Sequence, residues 1–381
     1  MEILAYLIPL IVSIFLLGFF KKEIVWWEYA LLIAIPILVH IAARAIMISY
    51  NTTDVEYLGD YITKVRHYDE WDEWIHRTCT RTVKLGKTTT TQTYDCSYRQ
   101  YHPERWSYFD QNGNEHWLYY EKDYDAIRRK FGTPEVFIDM HRNYHRIDGD
   151  AQEYHWNGTE KTAWTVTHER TYKNKIQNSN SIFNFTDISK KEADSLGLYH
   201  YPLINYDVDY DQTPVLTSRE IPKEHIDALK FTNGFYGKKH QFRLYVLIFE
   251  NASSEISELQ RSYWKGGNKN ELVVCLGMNG AKVEWCNAFS WCDVPTLDVK
   301  TETFFVENGY LDLIGYSNLI RESLQNGEWN RKEFDDFDYI KVELTFVQEI
   351  VTLIISLILN VVLAIVFIKN SKRNSDYLGF E

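Results

Sequence analysis

The sequence predicts an α+β fold with three transmembrane helices, two N-terminal as a hairpin and one C-terminal, flanking a large extracytoplasmic domain. Three observations predict it. First, apolar runs of 18 to 20 residues occupy Ile3–Phe20, Ile24–Ala43 and Ile350–Ile368, each long enough to cross a hydrocarbon core of about 30 Å as a helix. Second, the stretch from Ser49 alternates polar with aromatic residues and is crowded with His, Trp and Tyr, the pattern of half-buried strands. Third, residues 241–289 carry apolar and turn signals in the order strand, helix, strand, hairpin, strand. The expected organisation is a transmembrane hairpin at 1–48, an aromatic, mainly-β part at 49–220, an α/β part at 221–348, a third span at 349–368 and a tail at 369–381.

Orientation follows from the basic residues beside the spans, because Lys and Arg are retained on the cytoplasmic side. Lys21 and Lys22 fill the turn between the first two spans, and Lys369, Lys372 and Arg373 follow the third. All five are cytoplasmic together if the bulk lies outside and the tail inside. Met1-Glu2-Ile3 offers no positive n-region and no small-residue cleavage site follows Phe20, so the first span reads as a retained helix and not a signal peptide. Trp26, Trp27 and Tyr50 suit interfacial belts. Arg44 sits at the outer end of the second span, where a long side chain reaches headgroups. His40, one turn deeper, stays open as an ionisable group at membrane depth.

The elements follow in order. Arg66–Trp74, the segment between Cys79 and Cys96, Tyr98–Trp106 and Asn114–Tyr120 read as strands, and the Cys79 segment reads as a hairpin turning near Gly86-Lys87. A helix is expected over Glu121–Phe131, stopped by Gly132, with strands resuming at Phe137–Tyr144 and Glu153–Trp156. Ser189-Lys-Lys-Glu192 is a capping box opening a short helix that ends near Gly197. Pro222 opens another, expected to stop at Phe231 before Asn233-Gly234. Gln241–Phe249 and Glu271–Gly277 are apolar strands joined through a helix at Ser253–Trp264, so they should be parallel neighbours. Asn279-Gly280 turns into Lys282–Phe289. Gly309–Leu324 reads as a helix and Phe337–Phe346 as a strand.

Net charge is −12 over 381 residues, and the predicted outer region carries nearly all of it. That balance excludes a sequence-independent nucleic-acid binder, which needs a basic surface to displace counterions. Cations, basic partners and glycans stay compatible, and the lipid bilayer and a protein or surface ligand outside it are the expected partners. Five cysteines lie in the outer region, on the side that is oxidising in most envelopes. Cys79 and Cys96 approach each other across the hairpin and form the preferred bridge. Cys275, Cys286 and Cys292 are left open between a bridge and buried hydrophobes.

The run YWKGGNKNELVVCLGMNGAKVEW from Tyr263 to Trp285, with the element order around it, resembles the TPM domain, an α/β module often tethered outside a membrane by a terminal helix. The likeness covers residues 239–289. The family's acidic metal-binding positions have no match here, so the resemblance implies fold and tethering and no phosphatase or calcium-binding activity. The chain as a whole is similar to membrane proteins of large tailed phages and bacteria, which implies no chemistry.

Three constellations are candidates for chemistry. Asp139, His141, His145 and Asp148 place two imidazoles and two carboxylates within ten residues, a donor set for Zn or Ca and, with it, for a metal-dependent hydrolase. A four-residue spacing joins the two histidines only on a helix, whereas the local residues favour a strand that holds them apart. His67, His76, His102, His116 and His155 add imidazoles in the same region. Asp207, Asp209 and Asp211 resemble the opening of a calcium loop, but Gln212 and Ser218 stand where Gly and Glu are needed. No nucleophile elbow, phosphate loop or zinc-protease helix motif occurs, and Cys275 falls in a strand expected to be buried. The composition points to an interaction module, with exposed aromatic residues as the expected contact surface.

Overall fold

The computed structural model describes Leu7 and residues 10–15, 25–86, 88–140, 149–156, 165–176, 185–203 and 213–378. The chain divides into two compact units. One comprises Met1–Asp54, Thr171–Asn184 and Glu333–Glu381, the other Val55–Arg170 and Phe185–Lys332.

The first unit carries two helices long and apolar enough to cross a membrane, α1 at Trp26–Thr52 and the Phe346–Asn370 part of the C-terminal helix Phe346–Leu378. Of the first predicted span, only Leu7 and residues 10–15 are described, and they are helical. Tyr29 and Leu32 of α1 pack against Ala364. Pro36 lies inside α1, and since proline has no N–H it leaves the carbonyl four residues earlier, that of Leu32, without its helical donor. In an apolar setting that carbonyl needs another partner. Ser13 Oγ donates to it at 3.2 Å and Asn360 Nδ2 at 3.3 Å, while Ser356 Oγ donates to the Pro36 carbonyl at 3.0 Å. Arg44 donates to Glu349 Oε1 at 2.5 Å, a pairing that neutralises a charge at membrane depth. His40 is fully buried.

The second unit contains two main sheets. Strands β1 (Thr53–Tyr68), β6 (Arg105–Asp110), β7 (Glu115–Leu118), β8 (Val136–Met140) and β9 (Ala151–His155) form a sheet in the order β7-β6-β1-β9-β8, with β10 (Thr165–Lys173) also on β1. Helix α2 (Glu121–Phe131), the one predicted, lays Tyr124 and Ile127 on Ile62, Val65, Tyr108 and Trp156. Between β1 and β6 the chain runs out and back as β2 (Trp71–Ile75), β3 (Thr78–Leu85), β4 (Thr88–Asp95) and β5 (Tyr98–His102), with β2 paired to β5 and β3 to β4. The predicted strands over Arg66–Trp74 and Tyr98–Trp106 are therefore each broken, at Asp69-Glu70 and at Pro103-Glu104, where the β1–β6 ladder gives way to the β2–β5 one.

Short helix α3 (Lys190–Leu196) begins at Ser189, whose hydroxyl accepts from the Glu192 N–H, and ends at a left-handed Gly197, as the capping box predicts. The second sheet orders β11 (Val215–Thr217), β12 (Arg243–Glu250), β13 (Glu271–Asn279) and β14 (Lys282–Ser290), parallel except for the last pair. Alternate residues of β12 face opposite layers, as the strand period of two requires. Leu244, Val246 and Ile248 meet Leu229, Phe305 and Tyr316 from α4 (Lys223–His240), α6 (Pro295–Asn308) and α7 (Leu313–Gln325). Tyr245, Leu247 and Phe249 meet Trp264 and Ile256, beside and within α5 (Glu255–Tyr263).

Three expected boundaries are wrong for identifiable reasons. Helix α4 does not stop at Phe231 but runs on through Asn233-Gly234. The Asn233 amide is buried and pairs with both backbone groups of Leu244, accepting at 2.7 Å and donating at 2.9 Å, and so acts as a substitute strand. Gly309 does not open a helix: it closes the unforeseen α6 at φ +68°, and Asp312 opens α7 by accepting from the Gly315 N–H at 2.8 Å. Phe337–Phe346 forms no strand. Phe334–Phe337 is a 3-10 turn whose Phe334 ring packs edge-on against Tyr172.

The tightest approach in the second unit is between β1 and α4. A Cβ on Gly59 would stand 2.1 Å from the Asn233 carbonyl oxygen, and one on Gly237 would stand 2.7 Å from the Gly59 nitrogen. Backbone meets backbone there, so no rotamer change relieves the clash. Gly59→Ala is expected to cost about 3 kcal/mol or more, seen as loss of the thermal unfolding transition of the full chain in neutral detergent. In the first unit, Asn360→Leu should weaken attachment of the C-terminal helix to α1 by about 1 kcal/mol. Reduced disulfide cross-linking between cysteines introduced on the two helices would read this out.

Candidate interaction surface

The predicted metal cluster is only partly visible. Asp139 lies exposed on edge strand β8, whereas His141, His145 and Asp148 lie outside the described residues, as do Asp207, Asp209 and Asp211. Among the described residues no group of three or more His, Cys, Asp or Glu stands together as a metal site. Four of the other histidines singled out, His67, His102, His116 and His155, each sit on a carboxylate, and three of them on an aromatic ring. His67 contacts Glu104 at 3.1 Å and stacks on Trp106; His102 contacts Glu73 at 3.1 Å and stacks on Trp71. His116 contacts Asp110 at 3.2 Å over Tyr108, and His155 contacts Glu153 at 2.8 Å.

Charged clusters that the sequence did not reveal occupy the interior of the second unit. Lys238 of α4 lies between Asp60 and Asp110, both fully buried, donating to Asp60 Oδ2 at 2.8 Å and to Asp110. Burial pushes the Asp110 carboxyl up, but hydrogen bonds from Lys238, Asn114 and His116 outweigh it and hold the group well below the usual carboxylate range. Burial pulls Lys238 down, and the two carboxylates more than reverse that. Both groups are therefore locked in their charged forms. Across the sheet, Arg66 and Lys64 of β1 bind Glu153, and burial there is likewise outweighed, leaving Glu153 below its ordinary value. Near the start of β1, Glu56 accepts both bonds of Arg331 at 2.9 Å. Burial raises Glu56 despite that partner, whereas Asp110, Lys238 and Glu153 are held in their charged forms, which suits structural roles better than proton transfer.

The cysteines divide cleanly. Cys79 and Cys96 form a disulfide with Cα atoms 5.7 Å apart. Cys275, Cys286 and Cys292 are free and buried. Burial pushes all three thiols up, Cys292 to about 11, so none is a poised nucleophile.

What remains open to a partner is the arm formed by β2–β5, a continuation of the β1–β6 hairpin. Its pairs run from Trp71↔His102 through Ile75↔Tyr98 and then from Thr78↔Asp95 to Leu85↔Thr88. Fifteen residues on the outgoing side span about 50 Å. One face of the proximal half presents Trp74 and Tyr101, 58% and 57% exposed, beside the Arg99–Asp72 ion pair. Tyr94 and Tyr98 are exposed on the same arm. Aromatic rings flanked by Arg and carboxylate are the composition of protein contact surfaces. Exposed Trp117, Tyr119 and Tyr120 lie at and just beyond β7, and Val136, Phe137 and Ile138 on β8, at opposite edges of the sheet.

A groove of about 430 Å³ between α6 and α7 is the second open feature, lined by Val299, Thr303, Phe304 and Leu319 with Lys300 and Glu322. No protein-family model, curated protein or solved structure matches the chain.

Asp298 of α6 is pushed up to about 6 by burial and by the Glu302 charge. A carboxyl raised in the folded state loses stability as pH rises from its unfolded value near ~4 through 6. Asp298→Asn removes that loss. The variant should gain about 1–2 kcal/mol over the parent at pH 7, after allowance for solvent screening, and little at pH 4. Thermal melts of the full chain at the two pH values test this.

Proposed function

We propose that this chain is a membrane-anchored interaction protein whose second unit lies outside the cytoplasm and meets a protein or surface ligand through the arm. The observation that carries the reading is the exposed face of Trp74, Tyr101, Arg99 and Asp72 on a two-stranded ribbon that, among the described residues, pairs with no further strand. Amphipathic rings fixed on a β-ribbon offer large contact area at low entropic cost. Two independent features support the orientation. Lys21, Lys22, Lys369, Lys372 and Arg373 flank the apolar segments as cytoplasmic anchors, and the Cys79–Cys96 bridge suits an oxidising compartment. The strand, helix, strand, hairpin order at residues 239–289 supports a TPM-like reading of that part and adds no activity.

The test is made in intact cells or spheroplasts expressing the full chain with a tag after Glu381. External protease should remove the second unit and spare the tag, and a photo-reactive side chain at position 74 should give a cross-linked adduct of discrete mass. A protected second unit rejects the location; an accessible unit without an adduct rejects the contact surface.

A further inference from the structure

The distal half of the arm differs in charge from the rest of the molecule. Residues 76–97 contain Arg77, Arg81, Lys84 and Lys87 against the single carboxylate Asp95, a net +3. The whole chain is −12, so everything outside this segment sums to −15. The segment has little apolar surface of its own. Thr80 opposes Thr93 and Thr82 opposes Thr91 across the ladder, while Arg81 donates to Gln92 and lies over Tyr94. A ribbon of this kind exposes two unpaired edges. Like charge on two arms opposes their pairing edge to edge, so electrostatics directs the arm to the acidic remainder of a molecule.

The groove between α6 and α7 fits that description. Glu322 lines it, the same two helices also expose Glu302 and Glu307, and their cations are engaged: Lys300 with Glu328 at 2.5 Å, and Arg321 with Asn318 and the Phe231 ring. We propose that the basic distal arm of one molecule docks on the acidic α6–α7 face of a second copy, and that the exchange is reciprocal. Reciprocal exchange closes a two-fold dimer and leaves no arm unpaired. The steering is electrostatic and is screened over about 10 Å at 0.1 M salt. The inference does not depend on which side of a membrane the second unit occupies.

The experiment uses the full chain in neutral detergent, with mass measured by light scattering at about 50 mM and about 500 mM salt. The wild type should be dimeric at low salt and fall about twofold in protein mass at high salt. The triple variant Arg77→Glu, Arg81→Glu, Lys84→Glu should be monomeric at both, and so should Glu302→Lys, Glu307→Lys, Glu322→Lys. Mixing the two variants at low salt should restore a dimer, because each arm then meets a face of opposite charge. Restoration also shows that neither variant has simply unfolded. A monomeric wild type at low salt overturns the proposal, as does a dimeric arm variant or a mixture that stays monomeric. Wild type that is monomeric yet floats with vesicles of anionic lipid assigns the arm to a lipid surface and overturns it too.

Discussion

The second unit depends on the passage of β1 beside α4. Over six residues, Glu56 to Tyr61, one strand meets both halves of the unit. Glu56 holds Arg331, the Tyr57 carbonyl accepts from Asn270, Asp60 holds Lys238, and the Tyr61 ring stacks on Phe235 at 4.7 Å. Gly59 sits in the middle because any side chain there would occupy the backbone of α4. Close backbone approach removes water from everything beside it, so the neighbouring polar groups must be satisfied within the protein. The charged clusters around the crossing follow from that requirement. They are the consequence of joining two sheets through a single strand.

The same rule operates in the first unit with different chemistry. A proline in α1 frees one carbonyl, and side chains from two other segments, Ser13 and Asn360, close on it. Arg44 of α1 and Glu349 of the C-terminal helix neutralise each other. In both units buried polarity acts through specificity more than net stability, since a buried pair roughly balances its own desolvation while a broken pair is costly. Proton exchange is what these arrangements suppress. Asp110 and Lys238 are each held ionised by the other, which removes them from acid–base chemistry near neutral pH.

What the sequence disclosed was local. The apolar runs of β12 and β13, the Asn279-Gly280 turn, the Ser189 capping box and the Cys79 hairpin were all legible because each signal lies within a few residues of the element it specifies. Asn233-Gly234 misled because a turn dipeptide and a close-packing dipeptide have the same spelling, and only β1 and β12 decide which it is. Gly309 misled for a related reason: a glycine that ends one helix three residues before the cap of the next reads as a boundary of either. The charged clusters were not legible at all. Lys238 and Asp60 are 178 residues apart, and Arg44 and Glu349 are 305 apart, so no window of sequence contains both partners. The histidines were visible as residue types, but their pairing with separate carboxylates was not.

The arm raises the question of why a two-stranded ribbon with almost no core keeps its shape, since an isolated hairpin is marginal in water. Its proximal end is a continuation of the β1–β6 ladder, so register is inherited from a well-packed sheet and need not be set by the turn. Farther out, where β2–β5 gives way to β3–β4, the Cys79–Cys96 bridge closes a loop of 17-residue separation, a constraint on the unfolded chain of about 3 kcal/mol. Beyond the bridge, threonine pairs across the ladder each add a few tenths of a kcal/mol. The arm is thus stiffened from its base and at its waist by covalent and ladder geometry, which leaves its side chains free of any packing duty. Trp74 and Tyr101 near the base and the cations toward the tip are exposed for that reason: the ribbon's own stability makes no demand on them, and their surfaces stay available for contact.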